Sequence, residues 1–297
     1  MQNHRDILKA IEKINVWKRG DQRAPHKPLL LLLALGTWER ERLNDFPYQS
    51  FAPKLGKLLD DFGPSRLTHK THYPFWRLQN DGLWTVSSDS QMFPRSGDVP
   101  HGKLLELNAK GHLSVGFVDA LEEEPELVHT VAHLILEAHF PPTLHDDILQ
   151  AVGLGEFNYA SALPSGRTRD PGFRYDVLMA YEERCAICGF DVRLSGTLIG
   201  IEAAHIKWFQ AGGPDTPDNG LALCSLHHKL LDRGAFTITT DGTMMVSQRI
   251  SGSSGLSEWL MNFHGTPLRQ PVSSSYNPNS SFLDWHGREV FKGPARD

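Results

Sequence analysis

The chain has 297 residues with a formal net charge of −5, 40% hydrophobic and 22% charged side chains, which places it among ordinary globular proteins and excludes a disordered tail or a fibre. That length suits one large domain or two modules of roughly 100–150 residues. An acidic balance argues against indiscriminate coating of nucleic acid, although it leaves room for local basic patches. The longest apolar run, Leu29 to Leu35, is too short to cross a bilayer, so no membrane association is expected. The first residues carry no signal-like hydrophobic stretch, so a cytoplasmic protein is expected. Three cysteines cannot all pair with one another, and Cys185-x-x-Cys188 in such a chain points to metal or redox chemistry, not to a disulfide scaffold.

In chain order, Ile7, Leu8, Ile11 and Ile14 recur at helical spacing between Asp6 and Trp17, and a second helix is predicted from Pro28 to about Arg42. Between them lies a basic run, Lys18, Arg19, Arg23 and Lys27 against Asp21 alone, which reads as a solvated loop on charge alone; Glu122 to Glu126 is acidic. A third helix is predicted over Lys54 to Phe62, ending at Gly63-Pro64. Tyr73-Pro74-Phe75-Trp76-Arg77-Leu78, the turn Gln79 to Gly82 and Leu83-Trp84-Thr85-Val86 read as a β-hairpin, giving a winged-helix outline. Helices are predicted again over Leu127 to His139 and Leu144 to Val152.

The composition then shifts to Gly, Ser, Pro and Arg, so the expected domains are 1–152 and 172–297 with a linker at 153–171. A helix is expected at Tyr175 to Glu183. Cys185-x-x-Cys188 is followed by Cys224-x-x-His227; two such pairs, each with a two-residue gap, suit a tetrahedral Cys3His zinc site that staples a small domain. A redox Cys-x-x-Cys is the rival reading, but it leaves the second pair unexplained. Between the pairs, Ile199, Ile201 and Ala203 alternate as a strand, Asn219-Gly220 suits a turn, and Ser225 to Asp232 suits a short helix stopped by Gly234. The expected fold class is therefore α+β, a mainly helical first domain followed by a ββα unit.

The order His205, Asn219, His228 inside the zinc pairs resembles the HNH nuclease family over roughly 55 residues. The resemblance implies His205 as general base, Asn219 as the residue that fixes the loop and orients that base, and His228 as ligand of a catalytic divalent ion, Mg²⁺ or Mn²⁺. Many members carry an acidic residue just before the base histidine, where this chain has Ala204, so the remainder of the metal shell is open; Glu202 lies on the strand face opposite His205. Singly, His205 also suits a hydrogen-bonded core histidine and Asn219 a turn residue.

Arg23-Ala24-Pro25-His26-Lys27-Pro28 with the leucines after it, Tyr73-Pro74-Phe75-Trp76, and Phe140-Pro141-Pro142-Thr143-Leu144-His145-Asp146-Asp147 look like the sulfur-binding domain of McrA-type, modification-dependent (type IV) restriction endonucleases. That resemblance implies recognition of phosphorothioate-modified double-stranded DNA, with Tyr73 and Pro74 meeting the sulfur and Arg23, His26, Lys27, Arg77 and Arg95 available for phosphates. Tyr73 to Trp76 reads equally as a hydrophobic strand end. Cutting both strands symmetrically requires two nuclease centres, so a homodimer is expected. The alternatives are an HNH nuclease reading methylated or unmodified DNA, and a non-catalytic zinc module that binds nucleic acid or a partner.

Overall fold

The computed structural model describes residues 4–16, 20–88, 97–155 and 170–297. Residues 156–169 of the expected linker, Arg95, and Lys18 and Arg19 of the basic run lie outside them. The chain divides into two compact units, Met1–Arg19 with Ala24–Ser165, and Gly20–Arg23 with Gly166–Asp297. No helix among the described residues is long and apolar enough to cross a membrane.

The first unit is built on a buried helix. After α1 (His4–Glu12), α2 (His26–Glu41) buries every residue from Pro28 to Trp38, so it is apolar all round and needs neighbours on every side. Those neighbours include α3 (Tyr48–Phe62), α4 (His72–Arg77), α7 (Leu127–His139) and α8 (His145–Val152); α1 packs on α7, and α5 (His101–Glu106) and α6 (Val115–Glu123) complete the helices described. A Cβ on Gly36 would overlap the Val152 carbonyl oxygen, so glycine lets α2 approach the end of α8. An antiparallel sheet in the order β1 (Phe46–Pro47), β3 (Lys110–Leu113), β2 (Trp84–Ser87) lies beside the helices; the Trp84 ring fills the space over Gly111 and stacks on Phe46 at 5.5 Å.

The predicted hairpin is not present. Residues 72–77 are helical and Leu78–Asp81 form a 3-10 turn, while Trp84–Ser87 pairs with Lys110–Leu113. Pro74 sits in the first helical turn, where its missing N–H costs no hydrogen bond. Burial of Pro74, Phe75 and Leu78 follows a helical face, not strand alternation. The third helix also starts earlier than predicted, at Tyr48, because Pro53 is accommodated within it; Tyr48, Phe51, Leu55, Leu58, Leu59 and Phe62 form its buried stripe. The first helix is shorter than predicted and ends at Glu12.

In the second unit, α9 (Pro171–Ala180) begins at an Asp170 N-cap whose Oδ1 accepts the Gly172 N–H at 2.8 Å. It ends before Glu182 and Glu183, both in left-handed conformation, three residues short of the predicted end. A small hairpin, β4 (Arg193–Leu194) and β5 (Thr197–Leu198), precedes the central antiparallel pair β6 (Ile201–His205) and β7 (Gly220–Cys224), in register from Ile201↔Cys224 to His205↔Gly220. α10 (Ser225–Asp232) follows without a break, which completes the ββα unit. β8 (Phe236–Ile238), β9 (Met244–Val246), α11 (Ser254–Trp259) and α12 (Ser280–Glu289) close the core around Phe173, Val177, Leu221, Leu223, Leu231 and Phe236.

Four residues from early in the sequence belong to this second unit. The Asp21 carbonyl accepts the Trp285 indole N–H at 2.8 Å and its carboxylate accepts from Arg288 at 3.0 Å. Arg23 donates its main-chain N–H to the buried Glu289 carboxylate and its guanidinium to the Glu289 carbonyl, and lies 3.8 Å over the Trp208 ring.

Candidate active site

The two Cys/His pairs converge. The ligand atoms of Cys185, Cys188, Cys224 and His227 all lie within 4.8 Å of one another. Cys188 Sγ is 3.9 Å from Cys224 Sγ, and His227 Nδ1 is 3.6 Å from Cys185 Sγ and 3.1 Å from Cys224 Sγ. A tetrahedral zinc with bonds near 2.3 Å has ligand–ligand edges of about 3.8 Å, so the four groups fit that ion. His227 Nε2 donates to the Trp259 carbonyl at 2.8 Å, which fixes the tautomer that turns Nδ1 towards the sulfurs. Hydrogen bonds from the Cys188 and Cys224 thiols hold the Cys185 thiol far below the ordinary range, and hydrogen bonding to Cys185 pushes Cys188 and Cys224 up. Three sulfurs this close cannot all carry charge without a cation among them. The knuckle is stitched to the strands by the Ala186 N–H, which donates to the Ala222 carbonyl at 2.8 Å.

His205 ends β6. Its ring stacks on Phe173 of α9 at 4.1 Å and 21°, and its Nε2 lies 2.7 Å from Asp215 Oδ1, with both side chains less than 15% exposed. Gly220, opposite His205 in the register, leaves room for α9; a Cβ there would overlap Val177. Asn219 is fully buried. Its Oδ1 accepts the Lys207 N–H at 2.9 Å, and its Nδ2 donates to the carbonyls of Lys207 at 3.0 Å and Pro214 at 2.9 Å. Asn219 therefore closes the loop between β6 and β7, the loop that carries Asp215. A Cβ on Gly213 would overlap the Lys207 carbonyl oxygen, so the closure needs glycine there.

Successive residues of α10 diverge as helix geometry requires, His227 towards the sulfurs and His228 towards Glu202 and Asp232. His228 Nδ1 is 2.6 Å from Glu202 Oε2 and its Nε2 is 3.3 Å from Asp232 Oδ2. Burial works to lower the His228 pKa, but the charge and hydrogen bond of Asp232, with those of Glu202, raise it to about 9. The hydrogen bond from His228, opposed by burial and assisted by one from Ser225, holds the Glu202 carboxyl near 2. Strand alternation does turn Glu202 away from the His205 face, and it thereby brings Glu202 to His228. The two carboxylates meet opposite nitrogens of the ring, Glu202 at Nδ1 and Asp232 at Nε2, so a cation taken by one His228 nitrogen would share its site with only one of them, and among the described residues only the Cys3His group brings three or more such ligands together. Sequence reasoning set Glu202 aside and missed Asp232 and Asp215; Asp232 could have been found from its i,i+4 spacing to His228.

In the first unit, Tyr73 stands half-buried on α4 with the His72 ring 4.2 Å away, the Arg77 guanidinium at 4.6 Å and Lys70 Nζ at 5.6 Å. Arg77 is held by both carboxylate oxygens of Asp98, with Nε at 2.7 Å, and Pro74 on the same helix is buried. Lys27 is paired with Asp81 at 2.5 Å, both little exposed. Burial, with His69 and Arg66 nearby, lowers the His26 pKa to about 4, so its ring is neutral near pH 7. Arg23 is engaged inside the second unit, as described above. Of the described basic residues of the first unit that were expected to meet phosphates, Arg77 stands beside Tyr73, where Lys70 joins it.

A family model for the ScoMcrA-like DNA sulfur-binding domain matches residues 4–157. The chain belongs to this family. A second model, for HNH endonuclease, matches residues 185–239, the zinc knuckle and the ββα unit together. No curated protein matches. Among solved structures, this member of the sulfur-binding family is similar to the sulfur-binding domain of ScoMcrA complexed with phosphorothioated DNA, at 22% identity over 52% of this chain and 96% of that one, with a TM-score of 0.43. It is similar to the sulfur-binding domain of SprMcrA complexed with phosphorothioated DNA, at 21% identity over 51% and 94%, with a TM-score of 0.44. It is also similar to the type IV phosphorothioation-dependent restriction endonuclease ScoMcrA, at 20% identity and a TM-score of 0.41; the match takes in 55% of this chain and 31% of that one.

Proposed function

We propose that this protein is a metal-dependent restriction endonuclease that binds phosphorothioate-modified DNA through its first unit and hydrolyses phosphodiester bonds nearby with its second. The observation that carries the reading is the His205 imidazole held at the end of β6 by Asp215 and Phe173, in a ββα unit whose loop is closed by Asn219. Phosphodiester hydrolysis needs a base that takes a proton from water near neutral pH, and a fixed, neutral imidazole is suited to that work. His205 takes the proton. A divalent cation held by His228, with Glu202 the nearer of its two carboxylates, would offset the negative charge that accumulates on the phosphate and the leaving oxygen. Zinc held by the four Cys and His ligands would be structural, fastening the knuckle beside β7.

Sulfur in place of a non-bridging oxygen is larger, softer and more weakly hydrated than the atom it replaces, so apolar surface can sense it while cations hold the adjoining phosphates. Tyr73, with the His72 ring and the Arg77 guanidinium against it, offers both on one short helix, with Lys70 beside it. The reading includes a homodimer on DNA, because one nuclease centre cuts one strand at a time, and action in the cytoplasm on incoming DNA.

The test is cleavage of matched duplexes, one with a phosphorothioate and one with ordinary phosphate, under Mg²⁺ or Mn²⁺ and with EDTA as control. Selective cutting of the modified duplex that stops in EDTA is the expected result. Equal cutting of both would keep the nuclease and remove sulfur recognition; binding without cutting under either ion would make the second unit a non-catalytic module.

A further inference from the structure

Asp215 is a residue that the histidine–asparagine–histidine pattern does not contain, yet its carboxylate lies within hydrogen-bond distance of the base. Its two carboxylate oxygens are divided: Oδ1 meets His205 Nε2 at 2.7 Å and Oδ2 accepts the Asp170 main-chain N–H at 2.7 Å. A carboxylate anchored at both oxygens cannot rotate. Phe173 lies against the imidazole face, so the ring is fixed in plane as well as in direction. Because an ionised carboxylate only accepts, the hydrogen of a neutral His205 belongs on Nε2, and the basic lone pair on Nδ1.

We infer that Asp215 is a positioning residue for His205, setting the tautomer and orientation in which Nδ1 receives the proton from the attacking water; this rests on the nuclease reading above. It also gives Asn219 a physical route to the base. Asn219 Nδ2 holds the Pro214 carbonyl, one residue before Asp215, and its other bonds fasten the same loop at Lys207. Gly212, with φ of +81°, and Gly213 let the chain turn back so that Asp215 faces β6. The result is a relay of position: Asn219 fixes the loop, the loop fixes Asp215, and Asp215 fixes His205.

The experiment compares full-length wild type with Asp215→Asn and Asp215→Glu, using long-range proton–nitrogen correlation spectra of protein labelled with ¹⁵N-histidine, alongside cleavage kinetics on a phosphorothioated duplex with Mg²⁺. His205 in wild type should show the hydrogen on Nε2. Asp215→Asn should lose that single tautomer and lower kcat by about 100-fold with KM within about twofold, and Asp215→Glu should recover part of both. Thermal unfolding and zinc content of the variants show that the fold is kept. An unchanged tautomer in Asp215→Asn, or a changed tautomer with unchanged kcat, overturns the inference. A wild type that cuts neither duplex under any divalent ion overturns the nuclease reading instead, whatever the spectra show.

Discussion

Buried imidazoles serve opposite ends in the second unit. His228 is clasped by two carboxylates, whereas His286 on α12 is wholly buried with neutral partners, the Thr237 hydroxyl at 2.9 Å and the Leu231 carbonyl at 3.1 Å. Burial lowers the His286 pKa to about 4 from an ordinary value near 6.5. The unfolded chain therefore binds a proton between those two values that the folded chain refuses. Stability is full above pH 6.5 and falls as pH drops towards 4, by about 3 kcal/mol in total from this group. Chemical unfolding at pH 7.5 and pH 5 should show a smaller acid loss for His286→Gln than for wild type. Equal losses would place the acid sensitivity elsewhere, at the zinc ligands above all.

At the level of elements, legibility followed the length and regularity of the buried pattern. Leu127–His139 and Ser225–Asp232 fold as their spacing predicts, because one face of each carries the apolar contacts. Tyr73 to Leu78 misled because aromatic residues suit strands and helices alike, and six residues are too few for periodicity to decide. β1 and β3 have two and four residues and include Pro, Lys, Gly and His, so only the fold around them makes them strands. The four zinc ligands were legible as a spacing; Asp215 was not, since an aspartate in a loop carries no signature until the loop is closed. The Asn219-Gly220 pair was read as turn chemistry, but Gly220 is also where α9 crosses the strands. Gly220→Ala should cost about 1–3 kcal/mol, read as a lower denaturant midpoint, because its methyl group would displace Val177 or Phe173. A midpoint equal to wild type would mean that α9 shifts freely.

For the whole molecule, each unit has its own source of stability. The first rests on α2 surrounded by helices; the second has a core threaded between short strands and four metal-ligand side chains. Cys185→Ala, which removes one ligand, should abolish stoichiometric zinc and erase the calorimetric transition of the second unit while leaving that of the first. A single transition lost or shifted as a whole would show that the two melt together. The Gly20–Arg23 segment bears on any attempt to handle these units as parts. A fragment starting at Asp170 would contain every zinc and nuclease residue, yet it would strip the hydrogen-bond acceptor from the Trp285 indole, the Arg23 guanidinium from the Trp208 ring and the Arg23 N–H from the Glu289 carboxylate. Transplanting the second unit of this protein therefore has no single splice point: the transplant has to carry two stretches of sequence, one of them four residues long.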